Sequence, residues 1–328
     1  MAEYELREYR DGDLESLLAC FNLVFRENNP AHVDRTRAEW EYLFARNPAG
    51  RRVFVATWEG RVVAQYAALP ITVQVDGEQR TFAQIVDSMA HPDHRAGLRR
   101  PGLFVQTALP FFEAYGGLEK DWMHYGWPVD KAWRIGRTFL EYEVVRTQTV
   151  LAREPDGAAS APAEVERLER FDPGVRALYE RCARDWGASA KRDERFLDWR
   201  FVENPFHEYQ IFGVRDGAGA LCGYAVYRFG DWKLPRMGIV ADWLVPPDEQ
   251  EVGELLLRAI DSRAAADRAG AVTLFLPEWS PWFERFQDWG FFVWPTDYYM
   301  VGRNFHPRLD MRWLRENWWY QLADSDLV

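Results

Sequence analysis

Laid against itself, this 328-residue chain repeats, and the repeat limits the fold more than any other feature. Residues 1–150 match residues 164–303 in pattern and order, as two copies of one folding unit would. Glu41-Tyr42-Leu43-Phe44-Ala45-Arg46-Asn47-Pro48 answers to Asp198-Trp199-Arg200-Phe201-Val202-Glu203-Asn204-Pro205. Both read as an aromatic helix end stopped at Asn-Pro, because the residue before proline avoids the helical region. A hairpin follows each stop: 53–56, turn Glu59-Gly60, 62–67 in the first copy, and 209–212, turn 216–219, 221–225 in the second. Then come the buried strands 85–90 and 239–245, ending at Pro92-Asp93 and Pro247-Asp248. Helices are expected over 102–115 and 249–269, the latter with Leu255, Leu256, Ala259 and Ile260 on one face. A strand (122–125; 272–276) and a Pro-led helix close each copy. The openings match too, as a short strand (4–9; 165–171) before an Asp-led amphipathic helix.

The predicted organisation is therefore an N-terminal domain over 1–150, a linker over 151–163, a C-terminal domain over 164–303 and a tail over 304–328. The linker stretch is small, polar and aperiodic. The tail is Trp-rich over 311–320, which reads as a docked helix, and ends in acidic Asp324-Ser325-Asp326-Leu327-Val328. A net charge of −11 without a basic stripe gives nucleic acid no electrostatic footprint and disfavours an anionic membrane. Cys20, Cys182 and Cys222 are few, odd in number and widely spaced, which fits neither a disulfide framework nor a zinc site. A cytoplasmic protein with no metal is expected, since the N-terminus turns polar at once and no apolar run is long enough for a membrane span.

The order strand, two helices, hairpin, strand, loop, helix, strand, helix resembles the GNAT superfamily of acyl-CoA-dependent N-acyltransferases. The resemblance covers both halves and implies an α+β fold of two tandem GNAT-like domains, each a mixed central sheet flanked by helices. Its most informative stretch is Asp87-Ser88-Met89-Ala90-His91-Pro92-Asp93-His94-Arg95, which is similar to the family's fourth strand and its Pro-x-x-Arg exit. In the family a glycine-containing loop then presents backbone N–H groups at a helix start to the pyrophosphate of coenzyme A. Unpaired N–H groups and the helix dipole both favour an anion there.

The loop departs from the family pattern. Arg95 begins one register that lacks the glycine at the fourth place, whereas Arg99-Arg100-Pro101-Gly102-Leu103-Phe104 supplies Arg-x-x-Gly with Phe in the final small position. The second register is favoured, because Pro101 suits a first helical turn and Gly102 then stands at the phosphate. The resemblance thus implies acyl-CoA binding by Ser88, Met89, Ala90, Arg95, Arg99, Arg100, Gly102, Leu103 and Phe104. The second copy places Asp248, Glu249 and Glu251 at the corresponding helix start, with only Gly253 available, so repulsion excludes a second coenzyme there. Tandem proteins similar to this arrangement are mycothiol-synthase-like and enhanced-intracellular-survival-like acetyltransferases.

Direct acyl transfer to an amine needs a base, an oxyanion donor and an acid for the leaving thiolate. The resemblance assigns the donors to the main chain of Met89 and Ala90. Asp87 is the best-placed carboxylate for the base, the alternative being that it pairs with an arginine; His91 and His94 are close enough in sequence to relay a proton. The helix expected over 130–142 ends at Tyr142 and has no tyrosine inside it, where the family commonly places the acid, so that role falls to Tyr125 or is unfilled. A second candidate base is the terminal carboxylate of Val328, as the enhanced-survival resemblance implies. The expected function is acyl transfer, most simply of acetyl, from acetyl-CoA or another acyl-CoA to the amine of a small molecule. The alternatives are a non-catalytic acyl-CoA-binding scaffold and a Fem-type transferase that uses aminoacyl-tRNA, the latter opposed by the charge. Repeated aromatics such as Trp40, Trp199 and Trp243 read as core, while Trp122, Trp127 and Trp133 stand near the presumed acceptor side.

Overall fold

The computed structural model describes residues 3–95 and 101–327. The first half carries strands β1 (Glu5–Glu8), β2 (Arg52–Trp58), β3 (Arg61–Val75), β4 (Glu78–Ala90), β5 (Asp121–Gly126) and β6 (Glu143–Arg153). Its helices are α1 (Leu14–Asn28), α2 (Arg37–Trp40), α3 (Pro92–Arg95), α4 (Leu103–Tyr115) and α5 (Asp130–Phe139). The second half carries β7 (Val165–Leu168), β8 (Ala188–Ala190), β9 (Gln210–Arg215), β10 (Leu221–Trp232), β11 (Leu234–Leu244), β12 (Ala271–Leu274), β13 (Phe292–Asn304) and β14 (Trp318–Trp319). Its helices are α6 (Gly174–Cys182), α7 (Glu194–Leu197), α8 (Gln250–Ala266), α9 (Pro281–Asp288) and α10 (Met311–Asn317). The architecture is mixed α/β, and among the described residues no helix is long and apolar enough to cross a membrane.

Local chemistry accounts for most of these elements. Glu59 and Gly60 both take positive φ, as do Asp76 and Gly77, so β2, β3 and β4 are joined by two-residue turns that suit the strand twist. Thr36 caps α2 by accepting from the Glu39 N–H while Glu39 reaches back to Thr36, and Asp193 caps α7 by accepting from the Phe196 N–H. Each of these short helices widens into a π-helical turn, 41–45 and 198–202, where the Arg46 N–H reaches the Glu41 carbonyl and the Glu203 N–H reaches that of Asp198. The Asn-Pro stops follow directly.

The chain divides into two compact units. One comprises Met1–Thr72, Gln79–Arg146 and Tyr298–Trp313; the other comprises Val73–Glu78, Thr147–Asp297 and Leu314–Val328. In the first, the sheet order is β1-β2-β3-β4-β5, with β4 and β5 parallel, and Val301–Asn304 of β13 lies antiparallel on β5. In the second, the order is β7-β9-β10-β11-β12, with β11 and β12 parallel, and residues 151–153 of β6 lie antiparallel on β12. Each unit therefore takes its sixth strand from the other half of the chain. Residues 151–153, expected in a linker, are strand because their main chain pairs with Val272–Leu274. Gly302 is required at the matching place: a Cβ there would lie 2.7 Å from the His124 carbonyl oxygen. The tail is α-helical over Met311–Asn317 and takes a short 3-10 turn over Leu322–Asp324; Trp318 and Trp319 form a strand on β8, and Trp319 stacks on Trp186 at 4.1 Å.

Candidate active site

In the first unit the parallel register of β4 and β5 runs from Thr81↔Asp121 to Gln84↔Tyr125, while β4 continues for six further residues to Ala90. The pairing stops at Gln84↔Tyr125 because β5 itself ends at Gly126, which still lies against Ile85: a Cβ on Gly126 would be 3.2 Å from the Ile85 carbonyl oxygen. Asp87 lies within this extension with φ of 52°, in the left-handed region, which breaks the regular alternation of the strand. Its Oδ2 accepts from Nη1 of Arg35 at 2.8 Å, and the Gln65 side-chain amide donates to its main-chain carbonyl at 2.8 Å. Arg35 lies over the Phe21 ring at 4.8 Å, Phe21 stacks on Phe25 at 4.1 Å, and His32 adjoins both rings. One flank of Asp87 is thus aromatic and cationic.

Of the remaining strand residues, Ser88 accepts from the Ala67 N–H at 3.4 Å and donates to the Val86 carbonyl at 3.3 Å. Met89 is buried among Cys20, Phe21 and Val24, and Ala90 packs against Leu103 and Val63. Arg95, at the end of α3, donates to the Ala90 carbonyl at 2.7 Å and to Glu27 at 2.7 Å, which holds the strand exit. His94 is bonded to the Tyr4 hydroxyl at 2.9 Å, and burial together with neighbouring His91 lowers its pKa. Arg99 and Arg100 lie outside the described residues.

Gly102 is the N-cap of α4, with φ of −65° and extended ψ. Pro101 therefore precedes the cap instead of occupying the first helical turn, and Gln106 donates to its carbonyl at 2.6 Å. Among the described residues, a Cβ at Gly102 would meet nothing within 4 Å. The Gly102 carbonyl accepts from Val105 and Gln106, whereas no bond from the N–H groups of Gly102, Leu103 or Phe104 is seen among the described residues. Such a turn is a ready anion cradle. Leu103 is buried, and Phe104 meets Tyr66 edge-on at 5.4 Å, which fixes α4 to β3.

Tyr125 occupies the last paired position of β5 on β4, buried and edge-on to Trp127 at 5.8 Å. Helix α5 ends at Phe139, earlier than the sequence suggested, because Tyr142 folds back onto it. Gly136 makes room, since a Cβ there would lie 2.4 Å from the Tyr142 ring. The Tyr142 hydroxyl bonds that of buried Tyr66, and burial pushes both phenols up.

The second unit repeats the geometry with different contents. Its parallel register ends at Ile239↔Thr273, and β11 runs on to Leu244. Arg192, just before the α7 cap as Arg35 is before the α2 cap, pairs with Asp242 at 2.9 Å. The sequence offered pairing with an arginine as the alternative for Asp87 without pointing to Arg35, and the Arg192–Asp242 pair was not foreseen, although each arginine directly precedes a helix cap. Here the chain's own tail fills the space. The Gln321 side chain accepts from the Trp243 N–H and donates to the Trp243 carbonyl, both at 2.8 Å, and Asp324 grips Arg192 at 2.6 Å. Val328 lies outside the described residues. Gly253 is no loop glycine but part of α8, closed over by Trp282, whose ring would lie 2.5 Å from an added Cβ.

Residues 5–100 match the family model described as an acetyltransferase (GNAT) domain. No curated protein matches the chain in sequence. Among solved structures, the fold is similar to that of a conserved Enterococcus faecalis protein described as a probable N-acyltransferase, at TM-score 0.67 and 15% identity over 93% of this chain and 73% of that one. It is also similar to Saccharomyces cerevisiae N-myristoyltransferase with bound myristoyl-CoA, at TM-score 0.58 and 12% identity over 92% of this chain and 82% of the other. A GCN5-related N-acetyltransferase from Anabaena variabilis gives TM-score 0.57 and 13% identity over 91% and 72%. The likeness to a GNAT acetyltransferase domain is thus carried by residues 5–100, and the likeness of fold to solved structures extends over more than nine-tenths of the chain.

Proposed function

We propose that this protein is an acyl-CoA-dependent N-acyltransferase in which the first of two tandem GNAT-like units, centred on 1–150 and 164–303, holds the acyl donor and a small-molecule amine. The observation that carries the reading is the six-residue run of β4 beyond its last pairing with β5 at Gln84↔Tyr125, beside an α4 N-terminus where a Cβ on Gly102 would meet nothing within 4 Å among the described residues. The residues present fit the group: that run of main chain suits an extended amide-bearing arm, and the first turn of α4 suits a phosphate. Gly102, Leu103 and Phe104 would hold the pyrophosphate, with Arg99 and Arg100 adding local positive charge. Ser88, Met89 and Ala90 would line the donor along β4, and Arg95 would hold the strand exit. Bound acyl-CoA supplies an activated thioester.

The chain's own groups would do the rest. Main-chain N–H groups at Met89 and Ala90 would stabilise the developing oxyanion. Oδ2 of Asp87 is taken by Arg35 and Oδ1 has no partner among the described residues, so Oδ1 is the atom to receive the amine proton. Tyr125, at the last paired position of β5 on β4, would return a proton to the departing thiolate. Phe21, Phe25, His32 and Arg35 flank Asp87 as the acceptor side. The second unit would serve structure or acceptor binding and not the donor, a reading supported by Gln321 and Asp324 in its cleft and by Glu249 and Glu251 at the start of α8.

Calorimetry with acetyl-CoA and with myristoyl-CoA, followed by thiol release in the presence of an amine panel, tests the proposal. Binding of either donor with amine-dependent thiol release is expected, and its pH profile should change in Asp87→Asn. Binding without thiol release would favour the scaffold alternative; no heat with either donor would end the coenzyme reading.

A further inference from the structure

A second site emerges in the second unit, apart from any acyl-transfer chemistry. The β9–β10 register ends at Tyr227↔Gln210, so the next step sets Arg228 opposite Tyr209, on the sheet face that carries Ile211. Arg228 is 5% exposed, its Nε has no hydrogen-bond partner, and among the described residues no carboxylate lies within ion-pair distance of it. The closest acidic influence is Asp231, whose Oδ1 is already bonded to the Arg236 N–H at 2.9 Å. Gly230 makes room for the guanidinium, since a Cβ there would lie 2.5 Å from Nη1.

A second buried guanidinium adjoins it. Arg200 donates to the main-chain carbonyls of Ala323 at 3.0 Å and Ser325 at 2.8 Å, and reaches the Tyr209 hydroxyl at 3.4 Å. Burial and the charges of Arg228 and Arg200 push His207 down to about 4, so the imidazole stays neutral beside two cations. His207, Tyr209 and Phe201 in turn line an open cavity of about 820 Å³, whose charged lining is Arg167, Glu169 and Glu208. Asn204 and the aromatic ring of Phe206 complete the wall.

A buried lysine could escape its desolvation cost by releasing a proton; a guanidinium does not. The remaining way to compensate the charge is an anion, and the planar fork of arginine matches a carboxylate or phosphate group. We propose that Arg228 is the charge partner for an oxyanion, a carboxylate or phosphate carried by a small molecule that enters past His207 and Tyr209. The apolar walls at Phe201 and Ile211 fit a ligand whose anionic head goes inward and whose body stays in the cavity.

The test uses the full chain, its Arg228→Met and Arg228→Lys variants, and sodium phosphate or sodium acetate at constant ionic strength. Melting temperature and the ring-proton titration of His207 are read together. In the wild type, one or both anions should raise the melting temperature saturably and raise the His207 pKa. Arg228→Met should melt higher than wild type without anion, because an apolar side chain replaces an uncompensated charge, and should lose the anion response. A response to phosphate alone or acetate alone would support the site and name its head group. An undiminished response in Arg228→Met, or no response of His207 to either anion in the wild type, would overturn it. Should Arg228→Met fail to fold, Arg228→Lys decides: retained saturable binding with at least tenfold weaker affinity supports the site, and unchanged affinity refutes it.

Discussion

Gly102→Glu isolates the electrostatics of the proposed donor site from its sterics. The glycine has φ of −65°, which any residue adopts, and a Cβ there meets nothing within 4 Å among the described residues, so the variant should displace none of them. Replacing a glycine cap costs up to about 1 kcal/mol, while a negative charge at a helix N-terminus returns about 0.3–1 kcal/mol, so stability should change little. Binding should not be spared. At an effective dielectric of about 40, two unit charges about 6 Å apart repel by about 1.4 kcal/mol. A pyrophosphate presenting about two charges doubles this to about 3 kcal/mol, roughly a hundredfold in Kd for acetyl-CoA. Because the effect is Coulombic, it should shrink sharply near 1 M salt, where the screening length falls to about 3 Å. Calorimetry at low and high salt reads both numbers, with Gly102→Ala as the steric control. Gly253→Glu, the obvious counterpart, would be a poor control because it drives a side chain into Trp282; Glu251→Gln, on the exposed face of α8, serves instead and should leave the Kd unchanged. Wild-type affinity in Gly102→Glu at low salt, or an equal loss in Gly102→Ala, would refute the placement of the phosphate at α4.

Two further outcomes follow from the buried charges. Asp324→Ala strips one of the two carboxylates from fully buried Arg192 and should cost about 3–5 kcal/mol in urea unfolding; an unchanged midpoint would mean that the tail is not held by this pair. In the first unit, burial lowers the pKa of His124, and for Asp121 the bonds from His124 and Arg52 outweigh burial and lower its pKa as well. Both groups bind protons more readily unfolded than folded, so stability should fall as pH drops below about 6.5 through the histidine, and further below about 4 through the aspartate. His124→Phe should shrink the upper step in a pH series of melting temperatures, the remainder belonging to His94 and His207, whose pKa values are also lowered; an undiminished step would mean that His124 does not contribute to it.

Much of the fold was legible because it is local. Glu59-Gly60 announces its turn, Asn47-Pro48 and Asn204-Pro205 announce their helix stops, and the alternation of 53–67 announces a hairpin, since each depends on dihedral preferences within a few residues. The position of Gly102 at a helix start was legible for the same reason, although the side of the cap on which Pro101 falls was not. Arg35 escaped notice because its partner Asp87 lies 52 residues away, and only packing of α2 over β4 brings the two together.

By itself, the sequence determined the local turns, helix stops and most strands and helices of each half, and an acidic helix start at 249–251 where the other half has Gly102. Tertiary structure alone decided which strands share a sheet, sending 301–304 to β5 and 151–153 to β12, because a strand's hydrogen bonds are satisfied by any edge of matching register and carry no address in the chain. It also decided the fate of the tail. Acidic residues at a chain end read as solvated, yet Asp324 is buried against Arg192 and Gln321 fastens to Trp243, because a buried guanidinium and an unpaired strand main chain must find partners wherever the chain supplies them.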